Sequence, residues 1–82
     1  MSNRPLETFR LGNISVAVWM RRKKTGERFL VVSCPHRAYK VGDKWQRSYD
    51  LSTDEIRTGI ELLRQAEAYM KREEIAMLSV TS

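Results

Sequence analysis

Ser52 separates two stretches of this chain that cannot share one secondary structure. Before it, apolar side chains recur at every second position, as in Ile14, Val16, Val18 and Met20; after it they recur at every third or fourth, as in Ile56, Ile60, Leu63, Ala66 and Met70. The first period places side chains on one face of a strand and the second on one face of a helix. Ser52 itself reads as an N-cap, with Glu55 three residues on completing a capping box and Leu51 and Ile56 in the two positions of a hydrophobic staple. Asp54 and Glu55 suit the positive end of the helix dipole. Leu62, Ala66 and Tyr69 broaden the apolar stripe, and nothing breaks the helix after Gly59, so it can run on through Ile75, Met77 and Leu78.

In the N-terminal part, residues 1–8 are polar, contain Pro5 and read as a flexible arm, with order beginning near Phe9. Phe9 and Leu11 are out of phase with the run from Asn13 to Met20, and Gly12 at the changeover predicts a bulge within one bent strand. The loop Arg21–Glu27 then returns into a second strand over Arg28–Cys34. Pro35 cannot donate to a ladder, so His36–Val41 forms either a third strand or the continuation of a second one kinked at that proline. Gly42-Asp43 signals a turn into a last strand from Trp45 to Leu51. The expected architecture is α+β: a four-stranded antiparallel curved sheet followed by one long C-terminal helix, a single ββββα domain over residues 9–78 with a tail at 79–82.

Charge follows the same division. Residues 1–50 hold eleven Lys/Arg against four Asp/Glu, residues 51–82 hold four against six, and six of the seven aromatics lie in the basic half. A basic, aromatic-bearing sheet suits single-stranded nucleic acid, because phosphates seek cations and unstacked bases seek flat side chains. The candidate cations are Arg21, Arg22, Lys23, Lys24 and Arg28, continued by Arg37, Lys40, Lys44 and Arg47; the run at 21–24 taken alone fits a solvated hairpin tip equally well. Trp19 and Tyr39 are the candidate stacking platforms. Trp19 shares a strand face with Ser15 and Ala17, opposite the aliphatic residues that must meet the helix. Trp45 and Tyr49 share a face with Leu51 and are assigned to the helix side, and Phe29 to the core.

Other classes find little support. One cysteine and one histidine cannot complete a zinc site or an internal disulfide, and the sequence has no phosphate-binding glycine loop or paired catalytic carboxylates. Cys34-Pro35-His36 has no recognisable third group to orient a nucleophile. The expectation is a non-enzymatic binding protein with no cofactor, metal or small-molecule substrate. No apolar run approaches a membrane span, and Met1–Pro5 lacks the hydrophobic stretch of a signal peptide, which predicts a cytoplasmic protein that does not enter membranes. Eighty-two residues bury a modest core, and dimerisation would add to it. The alternative function is a protein-interaction module docking an acidic partner through its basic sheet.

The strand order, together with Leu11-Gly12-Asn13-Ile14-Ser15-Val16 and Arg37-Ala38-Tyr39-Lys40-Val41-Gly42-Asp43-Lys44-Trp45, resembles small bacterial proteins of the single-stranded DNA-binding fold shared by the positive-cofactor-four transcriptional coactivators, Whirly proteins and Pur-alpha repeats. The likeness covers residues 9–72. It implies a homodimer in which the helix packs on one sheet face and the curved sheet presents strands and hairpin loops to nucleic acid, with a role related to transcription. On that resemblance Ile60, Leu63 and Met70, with Ile56 on the same stripe, fall to core or dimer contacts, and Arg21–Lys24, Arg28, Arg37, Tyr39 and Lys40 to binding.

Overall fold

Gly12 has φ 64°, which the Cβ-free residue tolerates, and Leu11 pairs directly with Ile14, so Gly12-Asn13 is a two-residue turn. With positive φ at the first central residue only, it has the φ pattern of a type II′ hairpin, whose twist matches that of the flanking strands. The chain therefore reverses at Gly12 instead of bulging. The single bent strand expected there is two strands, β1 (Glu7–Leu11) and β2 (Ile14–Arg22). The reversal also explains the phase change: Phe9 pairs with Val16 and Leu11 with Ile14, so all four side chains share one face.

The protein, seen here in a computed structural model, is described over residues 4–80, with side chains through Met77. Three further strands follow, β3 (Arg28–Val32), β4 (His36–Val41) and β5 (Lys44–Ser48), and then one helix, α1 (Thr53–Val80). The sheet thus has five antiparallel strands rather than four. β1 begins at Glu7, and the Leu6 amide already donates to Val18 at 2.8 Å, so ordered structure starts inside the expected arm; residues 1–3 of that arm lie outside the described residues. The helix backbone likewise continues through the expected tail to Val80, and positions 81–82 lie outside the described residues.

β3 and β4 lie end to end along the same edge of β2. The Ser33 amide donates to the carbonyl of Ala17 in β2 and the Ala38 amide to the carbonyl of Asn13 immediately before it, whereas Val18 turns its carbonyl to the β1 side. Val18 pairs with Val32 but Ser15 pairs with His36, so three steps along β2 face four along its neighbour. The extra residue falls at Cys34-Pro35, where the proline ring has no N–H to contribute and the Ser33 hydroxyl oxygen accepts from the Ala17 amide at 2.9 Å. Of the two readings of this segment, the structure adopts separate strands, β3 and β4, aligned along one edge of β2 and divided at Ser33-Cys34-Pro35.

The core lies between this sheet and α1, which crosses β1, β2 and β3. Ile14, Val16, Val18 and Leu30 from the sheet meet Leu62 and Ala66 from the helix, with Phe9 and Tyr69 closing one side in an edge-to-face contact at 6.0 Å. Burial raises the Tyr69 phenol above its ordinary pKa, and the carboxylates of Glu73 and Glu7 add to the effect. The helix starts as expected: the Ser52 amide donates to Glu55 Oε1 at 2.8 Å and the Ile56 amide to the Ser52 carbonyl at 3.0 Å. The bond from Ser52 holds the Glu55 carboxyl below its usual pKa, with a smaller contribution from Arg37. Of Ile56, Ile60, Leu63 and Met70, expected at core or dimer contacts, only Met70 packs against the core. Ile56, Ile60 and Leu63 remain 48%, 47% and 36% exposed and Met70 is half-buried, because α1 turns the Leu62–Ala66–Tyr69 stripe to the sheet and leaves the other residues on its flank.

Candidate nucleic-acid interface

The sheet face turned away from α1 is uncovered. Its membership follows from register: on β2 it holds Ser15, Ala17, Trp19 and Arg21, and cross-strand pairing adds Thr8 and Arg10 from β1, Phe29 and Val31 from β3, His36, Ala38 and Lys40 from β4, and Trp45 and Arg47 from β5. None of these strand residues is acidic. Of the ten carboxylates in the chain, six lie on α1, Glu27, Asp43 and Asp50 lie in connections, and Glu7 pairs with Val18 on the helix side. With its anions elsewhere, this face presents Arg10, Arg21, Lys40 and Arg47 to the solvent with no carboxylate at a strand position of the same face.

The aromatic residues are distributed between the cations. Trp19 is half-buried with the Arg21 guanidinium 5.3 Å from its ring centroid, and Trp45 is 69% exposed with the Lys40 ammonium at 5.8 Å. The Tyr49 ring stands 6.0 Å from that of His36. His36 is fixed from beneath by a 3.0 Å hydrogen bond between its Nε2 and the hydroxyl of Ser15, a residue buried to 7% exposure. The assignment of Trp45 and Tyr49 to the helix side is therefore corrected: β5 ends at Ser48, so Leu51 reaches the core from a connection and no longer shares strand parity with them. Phe29 is likewise not a core residue; it pairs with Arg21 on the open face and is 37% exposed.

The expected binding residues divide into three groups. Trp19, Arg21, Lys40 and Arg47 lie together on the open face. Arg22, Arg28, Arg37, Tyr39 and Lys44 have the opposite parity and point to the helix side, where the Arg37 guanidinium is 5.8 Å from the Tyr39 ring and 3.8 Å from a Glu55 oxygen. Lys23 and Lys24 occupy the β2–β3 connection, with Lys23 ion-paired to Glu27 at 3.5 Å. Arg10 was missed by the sequence reading because it was placed at the start of a bent strand of uncertain phase. Once the hairpin sets Arg10 opposite Ser15, it lies on the open face, on the edge strand β1.

Two shallow concavities mark this surface. Both are lined by Arg10, Ser15, His36 and Arg47; one of about 310 Å³ extends to Trp19 and the other, of about 530 Å³, to Trp45. Among the described residues there is no cluster of His, Cys, Asp and Glu able to hold a metal ion, and no helix is long and apolar enough to cross a membrane. No family model matches the chain, and no curated protein or solved structure matches it.

Proposed function

We propose that the protein binds single-stranded nucleic acid with little sequence preference, through the open face of its sheet. The observation that carries this reading is the segregation of charge: four cations and three aromatic rings on strand positions of one uncovered face, with every carboxylate on the helix, in connections or on the opposite side. Cations along a surface release the counterions condensed on a phosphate backbone, and rings accept any unstacked base, so affinity comes without base reading. Titrating a labelled oligonucleotide at several salt concentrations tests it. Four phosphate contacts predict a slope of log K against log salt near about −3 for a single strand, with duplex of the same length bound more weakly. Absence of binding at low salt overturns the proposal. Binding of acidic polypeptide in preference to either nucleic acid would instead establish the acidic-partner reading.

The helix flank is assigned to a second copy of the chain. Ile60, Leu63, Met70 and Val32 line a groove of about 550 Å³ bordered by Arg64, Glu67, Lys71 and Glu74. These four charges alternate in sign, and read backwards they alternate in the opposite sense. An antiparallel copy therefore sets Arg64 against Glu74 and Glu67 against Lys71 at the same time, with Leu63 opposite Ile75. Sedimentation equilibrium is expected to give twice the 9.6 kDa chain mass, and Leu63→Glu to return it to the single-chain value. A wild-type protein that remains monomeric at micromolar concentration removes the dimer and leaves the binding proposal standing.

A further inference from the structure

The two indoles stand at opposite ends of the open face, each with a cation over its ring, and the register fixes how far apart they are. Trp19 lies four residues along β2 from Ser15, and Ser15 pairs with His36. Because β4 runs antiparallel to β2, the four residues from His36 to Lys40 continue in the same direction, and Lys40 pairs with Trp45. Eight residue steps at the antiparallel rise put roughly 26 Å between the indoles along the strand axis. The two concavities share Arg10, Ser15, His36 and Arg47; Arg10 and His36, both paired with Ser15, stand midway between the indoles, and Arg47, paired with Ala38, stands two residue steps from Trp45. A path across the strands is different: the row through Arg10, Ser15 and His36 meets neither indole.

Resting on the function proposed above, we infer that a single strand lies lengthwise on the sheet, parallel to β2 and β4. Bases near its two ends stack on Trp19 and Trp45, and Arg10 and Arg47 hold the phosphates between. At the stacked repeat of about 3.4 Å per nucleotide the span corresponds to about eight nucleotides, and to fewer in an extended strand. A trinucleotide therefore reaches one indole and not both. Longer strands gain the second contact as an intramolecular step, which raises affinity without any new kind of interaction.

The chain has two tryptophans, so Trp19→Phe and Trp45→Phe each leave one fluorescent reporter at a known end. Oligothymidylates of three, six, nine and twelve nucleotides are titrated against each variant, with oligouridylates of the same lengths to tell whether DNA or RNA is the tighter ligand. The expected result is quenching of both reporters by one nine-nucleotide strand per chain, with affinity at least about tenfold above the trinucleotide. A strand carrying a quencher at its 5′ end should dim one reporter much more than the other. Equal dimming by the end-labelled strand, or tight binding that leaves either reporter unchanged, overturns the lengthwise path while the proposed function survives. No binding at any length overturns the proposed function itself. Should a phenylalanine variant fail to fold, 5-fluorotryptophan in the unaltered sequence reads both positions by fluorine NMR with the same outcomes.

Discussion

Leu62→Ala is expected to destabilise the fold by about 2–5 kcal/mol, the range for truncating a fully buried leucine. Leu62 has no solvent exposure and is the largest side chain that α1 contributes to the buried cluster, where it meets Ile14, Val16 and Val18. The other buried apolar side chain among the described helix residues is Ala66, which cannot expand to fill the cavity, and the neighbouring strand residues are held by hydrogen bonds on both sides of β2. Little relaxation is available, which favours the upper part of the range. A domain of this size has a total stability of about 5–15 kcal/mol, so the loss is a large fraction of the whole. Urea denaturation followed by circular dichroism measures it, with Leu63→Ala as the comparison. Leu63 is 36% exposed in the single chain, and in the proposed dimer its truncation should weaken association before it weakens folding. Equal losses for the two variants in a monomeric sample would show that the core has been assigned to the wrong stripe.

The second large effect is expected from Arg10→Glu combined with Arg47→Glu. Both side chains border both concavities, from the two edge strands β1 and β5. Each phosphate contact to a single strand contributes about 0.7 to the salt slope, so losing two flattens it by about 1.4 and weakens binding at 50 mM salt on the order of 50-fold. Reversing the charge adds repulsion to this loss. Arg22→Glu with Arg28→Glu makes the same change in net charge on the helix side of the sheet, where the two arginines pair with each other. If the open face is the binding surface, the pair on that face costs far more than the pair on the helix side. Equal costs would mean that net charge alone draws the nucleic acid and that the arrangement of the face is irrelevant.

Several features were legible from sequence for local reasons. The helix start at Ser52 depends on four consecutive residues, and its Ser52–Glu55 bond forms as expected. The face of Trp19 follows from the alternation of β2 alone, and its open side is where that alternation puts it. The acidic helix and basic sheet can be counted directly. Other features failed for an equally definite reason. Gly12 permits both a bulge and a reversal, and a glycine of positive φ serves either; only the pairing of Leu11 with Ile14 shows that the chain turns back. Arg10 then moves from an unassigned position to the lining of both concavities. Trp45 and Tyr49 were misassigned because parity with Leu51 was carried through residues that are not strand, and Phe29 because only its pairing with Arg21 shows that it faces away from the helix.

By itself, the sequence determined which segments extend, which one coils, where the helix begins and where the charges lie along the chain. Each of these depends on side chains within a few residues of one another. The tertiary structure decided which side of the sheet each charge and ring occupies beyond β2. That outcome depends on cross-strand register, and a one-residue shift exchanges the two faces of a strand. Here the decisive shift is the extra residue at Cys34-Pro35, which sets His36 opposite Ser15 and thereby turns Lys40, Trp45 and Arg47 to the same face as Trp19 and Arg10.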